Sequence, residues 1–354
     1  MNRLLTVLAL GTLWMISPVV GQDARSWPGL EEGWVAPRTP WGVPDLQGIW
    51  DSKSSTPMQR PEEFADREFL TDEQVSALNN EAHDREQSPE VQGRDVRGER
   101  GTAADVEGAY NDIFSTGIGM RYSRSMRSSL IVDPADGRFP SLTSQGEARR
   151  AERNQAFAAR AAAQSSAGVD LPYFVDTQDR YDNPEETGFL ERCMGITIPC
   201  TGGLCGYSRL VQGPGWLSIY YEQGHGGGAY RSIPLDGRSH APAHIRQWLG
   251  DSVGYWDGET LTVDTTNFTD KTSYMGSGKD LHLIERFTRV SPDLLKYEIT
   301  VDDTTIWTQP WTMELALVLQ DNVENLIFES ACHEGNYSLT GMLAGARLEE
   351  AAGR

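Results

Sequence analysis

Residues 294–302 read LLKYEITVD. Leu295, Tyr297, Ile299 and Val301 fall on one side of an extended chain, and Lys296, Glu298 and Thr300 on the other. Side chains alternate across a strand, so this period-of-two pattern predicts a strand with one dry face and one wet face. The reading extends in both directions. Upstream, Leu261 and Val263 alternate with Thr260, Thr262 and Asp264; downstream, Met313, Leu315, Leu317 and Leu319 stand against Thr312 and Glu314. Trp256-Asp257-Gly258-Glu259 reads as a two-residue Asp-Gly hairpin. Strands are predicted at 206–212, 216–222, 228–234, 252–257, 259–267, 280–290, 294–302, 309–320 and 325–333. That many successive strands expose edges unless the sheet closes on itself. The predicted fold is therefore mainly β: an antiparallel up-and-down barrel with an N-terminal Trp/Pro-rich arm and flanking helices. A barrel of about eight strands is either filled by its own side chains or holds one small ligand.

The chain opens MNRLLTVLALGTLWMISPVVGQDARS. Arg3 precedes an apolar run from Leu4 to Ile16, Pro18 breaks it, and Val19 and Gly21 fit the small-residue positions of a signal-peptidase site. The run is shorter than the ~20 residues that span a bilayer. Residues 1–21 are thus predicted to be a cleaved signal peptide. The mature chain is then periplasmic or secreted, with no transmembrane segment after cleavage. Residues 22–170 would form the arm and peripheral helices, and 171–354 the barrel with a C-terminal helix. With 31 basic and 51 acidic residues the formal charge is -20, and no basic run occurs, which excludes nucleic acid and anionic membrane as partners. Cys193, Cys200, Cys205 and Cys332 are an even number in an exported chain and predict two disulfides. Cys200 with Cys205 and Cys193 with Cys332 is one arrangement, and the sequence does not choose among the pairings.

Trp27, Trp34 and Trp41 among Pro28, Pro37, Pro40 and Pro44 predict an extended arm whose aromatics pack on the main body. Thr71 followed by Asp72 and Glu73 is an N-cap with an acidic first turn, so a helix is expected over 71–87. Residues 88–110 are polar and Gly-rich and read as a loop. A short strand running into an Asp-Gly turn is expected in 128–140. A second helix is expected from Ser144 to Ala163, rich in alanine and arginine. Both helices are expected on the barrel exterior. A short helical segment at 242–251 and a terminal helix at 339–352, plugging or lidding one end, complete the expectation.

Five of the six histidines, His225, His240, His244, His282 and His333, lie in the barrel region. His282 and Arg286, four apart on a strand, share a face, as do Glu329 and His333 on the last predicted strand. Pointing inward, these four would form a lumen site. His282 and His333 would move a proton, Arg286 would steady developing negative charge, and Glu329 would orient a histidine. His225 lies in a Gly-rich loop, where backbone allows close approach of a ligand. Arg238 and His240 follow a turn that could reach the same rim. Trp256 and Tyr220 would line the binding place. His333-Glu334 lacks the second histidine of the His-Glu-x-x-His zinc motif, and no nucleophile elbow, phosphate loop or dinucleotide fingerprint occurs. No metal and no cofactor are expected. The function read from this is an exported barrel binding a small, partly apolar or aromatic molecule, with acid–base chemistry of the isomerase, lyase or cyclase type as its extension. The rivals are a non-catalytic envelope protein-interaction module and a metal-dependent hydrolase built on His225, His240, His282 or His333 with Glu334.

Four stretches carry a resemblance: TPWGVPDLQGIW, IPLDGRSHAP, GYWDGETLTVDTTNFTDKT and SACHEGNY. They are similar to a widespread family of exported bacterial proteins. That resemblance implies export and one long architecture, and brings no reaction, cofactor or catalytic residue with it. Gly48-Ile49-Trp50 also resembles the Gly-x-Trp signature on the first strand of lipocalins. The predicted barrel is lipocalin-like in form, and form does not fix function.

Overall fold

The computed structural model describes residues 33–52, 54–86, 125–167, 207–222, 229–321, 332–334 and 337–352, together with 27, 30, 31, 183, 184, 192, 193, 198, 199, 323 and 327. Ten strands are present: β1 (Gly48–Asp51), β2 (Ile131–Asp133), β3 (Tyr207–Gly213), β4 (Trp216–Tyr221), β5 (Ala229–Pro234), β6 (Asp251–Asp257), β7 (Thr260–Thr266), β8 (His282–Arg289), β9 (Leu294–Asp302) and β10 (Trp311–Leu319). Among the described residues three α-helices accompany them: α1 (Asp72–Glu86), α2 (Ser144–Ala167) and α3 (Tyr337–Ala351).

The fold is the expected antiparallel up-and-down barrel. Its strand order is β5-β4-β3-β1-β10-β9-β8-β7-β6, with β2 pairing β10 off the ring. Eight of the predicted strands are found within a residue or two of their expected bounds. Among the described residues the ninth ring strand is β1, contributed by the Trp/Pro-rich arm. It pairs antiparallel with β3 on one side and β10 on the other, and so carries Gly48-Ile49-Trp50 as the first strand of the barrel. Most of 325–333 lies outside the described residues, and Cys332 and His333 sit in a turn.

Every ladder around the ring is antiparallel, and the ring holds nine strands, the ten of the sheet less β2. An odd number of alternating directions forces one neighbouring pair to run parallel. That pair is β5 and β6, which share no backbone ladder. They meet through side chains instead. A Cβ on Gly254 of β6 would lie 2.7 Å from Leu235 Cδ2 and 3.2 Å from Ile233 Cγ2. Parallel neighbours need a connection that returns along the barrel, and residues 235–250 provide it. The helix expected at 242–251 would lie on this crossover. The crossover holds only a turn there, Ile245 N–H to Pro242 O at 2.8 Å, because the Gln247 backbone is used elsewhere. Its N–H donates to Asn267 O at 2.9 Å and its carbonyl accepts from Thr269 N–H at 3.1 Å.

Inward-facing residues make the core. Leu217, Ile233, Val263, Leu283, Ile299 and Met313 are each 0% exposed. At one end Phe139 stacks on Trp307 at 5.3 Å and meets Trp311 edge-on at 4.9 Å. Outside, Arg127 clamps Glu314 of β10, with Nε to Oε1 at 2.5 Å, fixing the segment that carries β2. Thr71 caps α1 as expected. Its Oγ1 accepts from Gln74 N–H at 3.3 Å, and the Gln74 side chain accepts from Thr71 N–H at 2.9 Å, a reciprocal capping box. The described side chains of α1 and α3 are exposed or half-buried, so α1 lays no broad face on the barrel and α3 does not plug it. Cys193 is joined to Cys332 with Cα atoms 5.6 Å apart, one of the pairings open to the sequence. Cys200 and Cys205, and the predicted loop at 88–110, lie outside the described residues.

Candidate functional site

The lumen is occupied by the chain itself. At its centre the Arg231 guanidinium of β5 faces Glu285 of β8, with Nη1 to Oε1 at 3.0 Å and Nη2 to Oε2 at 2.7 Å. Nη2 also donates to Ser252 Oγ of β6 at 3.0 Å and to Thr265 Oγ1 of β7 at 3.1 Å, while Nη1 donates to Tyr221 Oη of β4 at 3.1 Å. Tyr297 Oη donates to Glu285 Oε1. The two charged side chains are 3% and 0% exposed. Burial works against the charge on Arg231, but Glu285 outweighs it and holds the guanidinium protonated. Burial pushes the Tyr221 hydroxyl up to about 12, so it stays neutral. This cluster lies among the buried aliphatic side chains of the inward faces.

A second polar cluster sits on the outer face of the same strands. His240, on the crossover, places Nδ1 2.9 Å from Asp251 Oδ2 and Nε2 3.0 Å from Asp264 Oδ1. His282 Nε2 is 3.0 Å from that same Asp264 oxygen. Ala241 N–H donates to Asp251 Oδ2 at 2.9 Å. Both nitrogens of His240 face carboxylates. The Asp264 hydrogen bond raises the His282 pKa against the opposing effect of burial, and the Asp264 and Asp302 charges add to the rise. Burial raises Asp264, but the bonds from His282 and His240 outweigh it and hold the carboxyl below its usual value. Side-chain exposures of 26% for His240, 33% for Asp264 and 34% for His282 leave the cluster open to solvent and to small molecules.

Between the crossover and the β5/β6 seam lies an open groove of about 1400 Å³. Trp216, Tyr230 and Pro234 wall it from β4 and β5, and Trp248, Leu249 and Val253 from the other side. Arg231, Arg238, Arg246, Asp236 and Asp251 supply its charges. Asp251 thus belongs to both the groove and the histidine cluster. The groove exists because of strand parity: the one parallel junction lacks a ladder, and its connection must lie across it.

The structure brings together two of the sequence-predicted site residues, His240 and His282, through Asp264. His282 and Arg286 do not face the lumen. The inward positions of β8 are Leu283, Glu285 and Phe287, and the face of His282, Ile284 and Arg286 is outward. Arg286 stands opposite Glu298 and Thr262 in the ladder, beside neither histidine. Arg238 lines the groove and is tied to Asp236, Nη2 to Oδ2 at 2.6 Å. Trp256 has the inward parity of β6 and is half-buried, and Tyr220 is half-buried on the outer face of β4. His333 is exposed in its turn, and His225 and Glu329 lie outside the described residues. The residues missed were Asp251, Asp264 and the Arg231–Glu285 pair. A signal for the last was present: Arg231 between Ala229 and Ile233, and Glu285 between Leu283 and Phe287, put opposite charges on otherwise apolar faces.

Among the described residues no helix is long and apolar enough to cross a membrane, and no three His, Cys, Asp or Glu side chains are disposed to hold a metal ion. No protein-family model and no curated protein matches the chain. Among solved structures it is similar to a point mutant of the fluorescent protein UnaG, at 12% identity over 37% of this chain and 86% of that one, with a TM-score of 0.23. A likeness this slight carries no argument.

Proposed function

We propose that the protein is an exported barrel that binds a small, flat, partly apolar molecule in the groove beside the β5/β6 seam, and not in its filled lumen. The aromatic groove carries this reading: Trp216 is 41% and Tyr230 63% exposed on adjacent strands, with Trp248 across from them. Exposed aromatics gathered on a concave surface suit a ring-bearing ligand. The leader-like N-terminus and the Cys193–Cys332 bridge support export. The His240–Asp251 contact at the groove edge supports the chemical extension. Asp251 lines the groove, so a ligand there would meet a carboxylate that already holds an imidazole, and carboxylate–imidazole pairs move protons near neutral pH.

A thermal-shift screen of aromatic small molecules on the full mature chain tests it. Hits are expected to raise Tm in the wild type and to lose that effect in Trp216→Ala and Tyr230→Ala. Hits that stabilise both variants as well as the wild type would remove the groove as the binding place. Any hit converted to product should still bind His240→Asn while its turnover drops about a hundredfold or more, the usual worth of a general acid–base group.

A further inference from the structure

We infer that Arg246 makes the groove selective for anions, so that its ligand class is a flat apolar body bearing a carboxylate, sulfonate or similar oxyanion. The inference rests on the groove reading above and specifies what the groove takes.

It follows from a charge-by-charge account of the lining. Asp236 and Arg238 neutralise each other through paired hydrogen bonds at 2.6 to 3.1 Å, and the Arg238 bond holds the Asp236 carboxyl down at about 2. Asp251 is engaged by the Ala241 N–H and by His240. Arg231, which also lines the groove, is paired with Glu285. Arg246 is the remaining lining charge, and among the described residues it has no carboxylate. Its Nη1 donates to two backbone carbonyls, Phe268 O at 2.9 Å and Lys279 O at 2.5 Å. Nη2 and Nε are left without a partner among the described residues. In a chain with 51 acidic and 31 basic residues, an uncompensated arginine in a groove stands against the general charge balance.

The two carbonyl bonds also fix the side chain. A guanidinium already held in one plane loses little rotamer freedom when a ligand arrives, and its planar fork matches an oxyanion with two parallel N–H···O bonds. Trp248, two residues along, lines the same groove. A ring on the aromatic wall and an acid group on Arg246 are thus two parts of one ligand: the apolar body supplies area and the anion supplies choice.

Two fluorescent probes of similar ring size separate the cases: 8-anilinonaphthalene-1-sulfonate, an anion, and N-phenyl-1-naphthylamine, which is neutral. Both are titrated into the full mature chain, its Arg246→Gln variant, in which the amide can still donate to a carbonyl, and its Tyr230→Ala variant. Arg246→Gln is expected to weaken the sulfonate about tenfold or more and to leave the neutral amine within about twofold. Arg246→Lys should recover part of the loss, and about 0.5 M salt should weaken only the sulfonate. Tyr230→Ala should weaken both probes. If the sulfonate is indifferent to Arg246→Gln while both probes respond to Tyr230→Ala, the anion inference fails and the groove reading stands. If Tyr230→Ala changes neither, both fail together.

Discussion

The β5/β6 seam is stitched twice, once from inside and once from outside, and the two stitches are built on opposite physics. Inside, Arg231 of β5 reaches across to Ser252 of β6, Thr265 of β7 and Glu285 of β8, replacing the ladder that parallel neighbours failed to form. Outside, His240 of the crossover reaches Asp251 at the start of β6 and Asp264 of β7, which also holds His282 of β8. Consecutive residues divide between them: Asp264 faces out and Thr265 in. The inner stitch is dry and of fixed charge. The outer one is a third exposed and titrates. Rigidity is thus placed where nothing has to enter, and adjustable charge where a ligand can reach.

Breaking the inner stitch should have the largest effect. Arg231→Met leaves Glu285 without its cation at 0% exposure, with Tyr297 as its remaining hydrogen-bond donor of the cluster, and should cost about 3–5 kcal/mol in urea unfolding. The double variant Arg231→Met/Glu285→Leu should regain most of that, because an apolar pair carries no desolvation penalty. A single variant no worse than an exposed substitution would show that the pair does not brace the seam.

This contrast also explains what could be read from the sequence. Strands β3 to β10 were legible because apolar and polar residue types alternate along them, as with Leu261 and Val263 against Thr260, Thr262 and Asp264. The turn at Asp257-Gly258 was legible because Gly258 takes φ +59, which the hairpin demands. β1 was signalled only by the Gly48-Ile49-Trp50 resemblance and was absent from the predicted strands, because four residues inside a Trp/Pro-rich segment show no period and its partners lie more than 150 residues away in sequence. The face of His282 was misjudged because chemistry was expected inside a barrel, whereas Leu283 and Phe287 hold the inward positions. The Asp264 bridge could not be read at all. It depends on the crossover folding back over β6 and β7, a consequence of strand count and not of local pattern.

Packing at the seam gives the intermediate case. Gly254→Val puts a branched side chain where a Cβ alone would lie 2.7 Å from Leu235 Cδ2 and 3.2 Å from both Ile233 Cγ2 and Thr262 O. Leu235 can turn aside, but the Thr262 carbonyl is backbone. Overpacking of this kind should cost about 1–3 kcal/mol. The loss should appear in unfolding experiments together with weaker binding of the neutral naphthylamine, since the seam is also the groove floor. Full wild-type stability would mean that β5 and β6 part without cost, and that Arg231 alone holds the junction.

The outer stitch should give the smallest effect of the three, and one that shrinks as pH rises above neutrality. His282 has its folded pKa raised above the ordinary 6.5 by Asp264, so its contribution is fully present below that value and is lost as pH rises through the folded one. Asp264 has its folded pKa lowered below the ordinary 3.8, so its contribution is present above that value and is lost as pH falls through the folded one. The outer stitch is therefore strongest between roughly pH 4 and 6.5. Exposures of 33% and 34% keep it under about 1 kcal/mol. His282→Asn should then be less stable than the wild type at about pH 5.5, with the gap shrinking by roughly half a kcal/mol at about pH 8.5. Arg231→Met should show no such convergence, because that variant keeps the His282–Asp264 contact. A gap between wild type and His282→Asn that stays constant with pH would mean that His282 contributes packing and not charge, and the two stitches would no longer differ in kind.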